Sequence, residues 1–239
     1  MSEMTATTIS DELHPSPEPA KSHSLEYRPA IDGLRALAVL SVFVFHLNHR
    51  WLPGGFVGVD VFFVISGYLI TSIILKDCKE DNFSFLKFYQ RRIARIFPIF
   101  ITVGLATILA AYFIYTPMDL ASAGANLMAT ALSIINMKLM VQGNYFELSA
   151  DAQPYLHYWS LSVEEQFYIV FPVLFVLTFW FTRRRQSFLL GLLLIASLLL
   201  CVWMTSRQPV YAFYLLPTRG WELLAGCLLA IFAHGSTGT

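Results

Sequence analysis

The sequence predicts an all-α fold, a polytopic bundle of transmembrane helices with about six spans. Three observations carry that expectation. Apolar runs close to twenty residues recur along the chain, the length a helix needs to cross a hydrocarbon core. Only 13% of the 239 residues are charged, 56% are hydrophobic, 15% are aromatic, and the mean hydropathy is +0.58. A soluble domain is usually about a quarter charged, and one of this composition would face water with large apolar patches. Finally, Lys and Arg gather in alternate loops, as the orientation rule for membrane helices requires.

Residues 1–27 carry Pro15, Pro17 and Pro19 with Glu3, Asp11, Glu12, Glu18 and Glu26, and few large apolar side chains. They read as a disordered cytoplasmic tail. The basic n-region, short apolar core and cleavage site of a signal peptide are missing, so the first apolar run is expected to stay as a helix. Spans are then expected at roughly 31–49, 56–76, 96–116, 160–182, 187–206 and 213–233, within a membrane domain of residues 28–235 and ahead of a short tail, 236–239. Lys76, Lys79, Lys87, Arg91, Arg92 and Arg95 follow the second span, and Arg183, Arg184 and Arg185 follow the fourth. Placing these inside, with the tail and Arg35, puts twelve of the sixteen basic residues on the cytoplasmic side. The Ala-, Ser- and Asn-rich stretch 118–140 is expected to be an outer-face or re-entrant helix, because a full crossing would move the Arg183–Arg185 run outside. Cys78, Cys201 and Cys227 show no metal-ligand spacing, so no metal is expected and they read as packing residues.

Several ionisable residues stand inside these apolar segments. In the first span, Arg35 and His46 are eleven residues apart, about 1100° of rotation, and Asp32 falls within about 40° of His46, so the three share a face. His46 lies roughly 16 Å farther along the axis than Arg35. Charges at mid-membrane normally face a bundle interior or a wet cavity; the bland readings are a snorkelling Arg35 and a hydrogen-bonded packing His46. In the second span Asp60 and Thr71 share a face with Gly67, which permits close helix packing, and Asp60 is a candidate to orient His46. Arg91, Arg92 and Arg95 stand at helical spacing before the third span. They read either as a positive-inside cluster on anionic lipid or as a guanidinium fork for a phosphate-rich ligand. The run from His157 to Pro172 holds Glu164, Glu165 and Gln166 beside Tyr158, Trp159 and Tyr168; an aromatic belt explains the rings and leaves the polar residues unexplained.

The segments YRPAIDGLRALAVLSVFVFH, GGFVGVDVFFVISGYLIT, FYQRRIARIFP, HYWSLSVEEQFY and TRGWELLAG, in this order from Tyr27 to about Ala233, resemble the successive motifs of the acyltransferase 3 family. These are membrane O-acyltransferases that include bacterial peptidoglycan and lipopolysaccharide O-acetylases. The resemblance implies an integral protein of the bacterial inner membrane, and the Lys/Arg bias is the ground for expecting a cytoplasmic N-terminus. The resemblance also implies acyl-CoA, usually acetyl-CoA, as donor and a glycan or other hydroxyl acceptor of the cell envelope on the far side. Arg35 and His46 match the family's Arg-x10-His pair, and Arg91, Arg92 and Arg95 match the RRxxR element associated with the CoA phosphates. The chemistry agrees: an alcohol attacking a thioester needs a base, and a neutral His serves near pH 7, with an acyl-imidazole intermediate as the other route. Asp60, Glu164, Glu165 and Trp159 are then candidates for acceptor binding or support. No nucleic-acid partner is expected, and the oligomeric state is not legible.

The family domain usually has about ten helices, and this chain ends in HGSTGT after the sixth expected span. It is expected to correspond to the N-terminal part of that domain, without the hydrolase-like C-terminal domain some members carry. Two other classes fit the same charges, a transporter or flippase and an inactive truncated remnant.

Overall fold

The computed structural model describes residues 29–142, 154–179 and 182–234; the expected tails at 1–27 and 236–239 lie outside the described residues. Among the described residues every regular element is helical. In chain order these are α1 (Pro29–Leu47), a 3-10 turn (Gly55–Val57), α2 (Gly58–Lys79), α3 (Phe85–Ile114), α4 (Pro117–Ala131), α5 (Ile135–Gln142), α6 (Tyr158–Phe179), α7 (Arg183–Thr205), α8 (Pro209–Tyr214) and α9 (Leu216–Ala233). Six segments are long and apolar enough to cross a membrane. This is a multi-pass membrane protein.

Two expected boundaries shift, each for a local reason. The third span begins at Phe85 rather than near residue 96, because the Arg-rich segment before it is itself helical and α3 runs for 30 residues. The sixth is interrupted: Leu215 is extended (φ −84°, ψ 138°), separating α8 from α9. Pro217 lies in the first turn of α9, where its missing N–H leaves the carbonyl of Phe213 without a helical donor.

The direction of each helix follows from its contacts. Between α3 and α6, Tyr89 meets Tyr168, Arg92 meets Glu165, and Phe100 meets Tyr158. The two helices are therefore antiparallel, and the chain between them leaves and returns at the same end of the bundle. The stretch 118–140 forms α4 and α5, of 15 and 8 residues, and adds no crossing. Thr116 caps α4 through the Asp119 N–H (3.3 Å) with Pro117 in its first turn. The α4–α5 turn is held by Gln166 of α6, whose amide donates to Ser133 O (2.8 Å) and Asn136 Oδ1 (2.9 Å).

By contrast, α2, α6 and α9 all run the same way. Asp60, Gly67 and Lys79 of α2 meet Arg219, Cys227 and His234 in that order, and Phe63 rests on Trp159 at the start of α6. This parallel trio is the core: 44–50% of each span is buried, against 6–11% for α1, α3 and α7, whose surfaces are mostly exposed. The α2–α9 crossing is close because glycines face it from both sides. A Cβ on Gly67 would run into the Leu223 carbonyl oxygen, and one on Gly226 into that of Val64. On the far side of α9, the Ser197 hydroxyl of α7 enters its first turn, donating to Pro217 O (2.6 Å) and accepting from Trp221 N (2.9 Å).

Candidate functional site

A cavity of about 630 Å³ opens between α1, α2, α3 and α6, with His234 after α9 at its edge. Its charged lining comes from four helices: Asp32 and Arg35 from α1, Lys76 from α2, Arg92 and Arg95 from α3, and Glu164 from α6. Four cations thus face two carboxylates, and Arg35 stands 3.9 Å from Asp32. The remaining wall is mixed, with Phe62, Leu69, Ile73, Ile96 and Leu161 interspersed with Ser66, Tyr68, Ser72 and Tyr168. Such a lining suits an elongated ligand with an anionic head and a less polar arm.

The three arginines of α3 part company. Arg91 turns away to Asp77, with Nη2 to Oδ2 at 2.7 Å, and does not line the cavity. Arg92 and Arg95 do. The spacing of three or four residues put all of them near one face; Arg92 packs against α6, and Arg95 lines the cavity one turn later. Pro172 explains the register. Having no N–H, it leaves the Tyr168 carbonyl without its helical donor. The Tyr89 hydroxyl of α3 donates there, 3.3 Å from Tyr168 O and 3.2 Å from Ile169 O. One turn later, Arg92 lies over the Tyr168 ring, its guanidinium carbon 3.6 Å from the centroid. Glu165 Oε1 is 3.8 Å away on the other side, and the Tyr168 hydroxyl donates to Glu164. The two adjacent carboxylates therefore hold different parts of one assembly, Glu164 the ring and Glu165 the cation.

His46 stands outside the cavity, near the opposite end of α1 from Arg35. Its Nδ1 is 2.8 Å from the Val42 carbonyl. A carbonyl only accepts, so Nδ1 carries the proton in that bond, and in the neutral ring Nε2 is left with the lone pair. The ring meets His157, at the head of α6, edge to face with centroids 4.7 Å apart. The expected partnership with Asp60 does not form. Asp60 Oδ1 accepts from Arg219 Nη1 at 3.1 Å, because Arg219 reaches across the close α2–α9 crossing.

Arg219 was not among the expected site residues, yet it organises a second charged cluster. It bonds Glu222 Oε1 at 2.9 Å, and its Nε donates at 3.2 Å to the Phe213 carbonyl that Pro217 has freed. Glu222 is fully buried with Oε2 lacking a hydrogen-bond partner. Trp159, expected near an acceptor, is buried among Phe63, Phe213 and Tyr214 and packs the cluster from below. The sequence signal for this cluster was present: Arg219 and Glu222 are two charges at i, i+3 in an apolar helix.

Comparison with known proteins adds an independent line. Residues 28–238 match the acyltransferase domain of the acyltransferase 3 family. The chain is 37% identical over 216 residues to the peptidoglycan O-acetyltransferase OatA of Listeria monocytogenes, covering 87% of this chain and 34% of that protein. It is 38% identical over 221 residues to the putative peptidoglycan O-acetyltransferase YrhL of Bacillus subtilis, covering 88% and 34%. To the O-acetyltransferase OatA of Staphylococcus aureus it is 35% identical over 217 residues, covering 88% and 35%. The chain thus spans about a third of the length of the curated relatives it matches. No solved structure matches it.

Proposed function

Because the chain belongs to the acyltransferase 3 family, we propose that it serves membrane O-acylation, moving an acetyl or similar acyl group from acyl-CoA to a hydroxyl of a cell-envelope glycan. The relatives named for peptidoglycan O-acetylation support that acceptor class. The distribution of basic residues supports an N-terminus on the cytoplasmic side of a bacterial inner membrane.

The observation that carries the reading is the cavity, which gathers Arg35, Lys76, Arg92 and Arg95 from three helices around one space. Guanidinium and ammonium groups there bind the CoA phosphates, and the mixed wall accepts the pantetheine arm as it runs toward His46. At His46, Nε2 takes the proton of the acceptor hydroxyl as its oxygen attacks the thioester carbon. The C–S bond then breaks, and the departing sulfur takes up the proton, leaving CoA and an O-acyl ester. Val42 contributes by holding Nδ1–H, which keeps Nε2 as the basic nitrogen.

Membranes carrying the full chain are incubated with radiolabelled acetyl-CoA, and label in isolated cell-wall glycan is counted. Wild-type membranes are expected to transfer label and His46→Ala membranes at least about 100-fold less, the usual contribution of a general base. Equal transfer by the two, or none by the wild type, would sink the proposal.

A further inference from the structure

Arg92 is held in an unusual way for a cation inside a helix bundle. Its Nε is buried without a hydrogen-bond partner, and Glu165 at 3.8 Å is an ion-pair neighbour beyond hydrogen-bonding reach. What meets its flat face is the Tyr168 ring, at 3.6 Å. That ring is itself fixed at three points. It is 3% exposed, its hydroxyl donates to Glu164, and its own carbonyl receives Tyr89 where Pro172 has removed the helical donor. Ring stacking uses none of the five guanidinium N–H groups, so it sets the plane of the cation while sparing its edges. A carboxylate hydrogen-bonded to Arg92 would set the plane and consume donors together, as Asp77 does for Arg91.

We propose that Tyr168 is a positioning residue: a fixed aromatic floor that holds Arg92 in plane and presents its terminal Nη N–H groups to the anionic ligand of the cavity. Glu164 acts through Tyr168, as the tether of the floor, and Glu165 supplies charge balance without taking the donors. The identity of that ligand as acyl-CoA rests on the function proposed above; the floor itself rests on the geometry.

Tyr168→Phe keeps the face and loses the tether, whereas Tyr168→Leu and Tyr168→Met keep apolar bulk and lose the face. Two measurements separate the floor from the donor assignment. The first is the rate at which phenylglyoxal modifies Arg92, read by peptide mass spectrometry, with Arg95 as internal control. Tyr168→Leu and Tyr168→Met are expected to raise the Arg92 rate about tenfold, Tyr168→Phe less than about threefold, and the Arg95 rate not at all, in line with a desolvated cation–π contact. The second is acetyl-CoA turnover, where the Leu and Met variants are expected to raise KM about tenfold with kcat within about twofold, the pattern of lost ground-state binding. Unchanged Arg92 reactivity in Tyr168→Leu or Tyr168→Met, or equal damage from Tyr168→Phe, overturns the positioning role. A wild type that shows the protected Arg92 yet turns over no acetyl-CoA overturns the donor assignment and leaves the floor standing.

Discussion

The bundle carries two clusters of charge built from the same residue types, and they are put to opposite uses. Near the start of α2 and α9, one guanidinium lies between two carboxylates, Asp60 and Glu222, with its Nε spent on a backbone carbonyl. Along α2 from Phe62 to Lys76, four cations line an open cavity against two carboxylates, and the Tyr168 ring meets only the face of Arg92. In the first cluster Arg219 donates to Asp60, to Glu222 and to the Phe213 carbonyl. The second leaves a surplus of positive charge facing space. The first arrangement ties α2 to α9 through ionic hydrogen bonds, whereas the second is the one proposed to hold an anionic ligand.

The largest test of that difference is Arg219→Ala. It leaves the fully buried Glu222 and the partly exposed Asp60 without their cation, and removing one partner of a buried ion pair costs about 3–5 kcal/mol. The variant is expected to accumulate poorly and to lose its cooperative melting transition in detergent. Normal melting would make the cluster dispensable and undo the contrast. Arg92→Ala should behave in the reverse manner. The thermal transition stays within a few degrees, and acetyl-CoA affinity, followed by titration of the purified chain, falls roughly 10–100-fold, the loss of about 1.5–3 kcal/mol of charge-assisted hydrogen bonding. The smallest effect belongs to Arg91→Ala. Arg91 is half exposed and paired with Asp77, so its removal costs under about 1 kcal/mol and changes acetyl-CoA affinity less than about twofold. An Arg91 effect as large as that of Arg92 would mean that all three guanidiniums reach the ligand, and that the split seen here does not govern binding.

The spans were legible because length and hydropathy suffice to define them. Charge bias also gave the parity, since a full crossing by 118–140 would have made α6 antiparallel to α2 rather than parallel. What could not be read was which side chain meets which across helices. Asp60 had a plausible partner in His46 by sequence level, and its actual partner lies 159 residues away. Arg91 and Arg92 were indistinguishable by spacing to Arg95; the choice depends on a carbonyl that Pro172 frees in another helix. Prolines are visible in a sequence, but the donors that occupy the vacated carbonyls, Tyr89 in one case and Arg219 in the other, appear only once the helices are packed. Gly67 was read as a packing glycine, and the structure adds its counterpart, Gly226.

The pairing of α2 with α9 also has a consequence in time. A ribosome adds about 5–20 residues per second. Asp60 is therefore made roughly 10–30 seconds before Arg219, the residue 159 positions later that neutralises it. Through that interval the second helix carries an acid whose arginine has not been synthesised, and the glycine face beside it has nothing to pack on. The central trio is completed only when its last member emerges, so the α2–α9 crossing forms after translation has reached the sixth span.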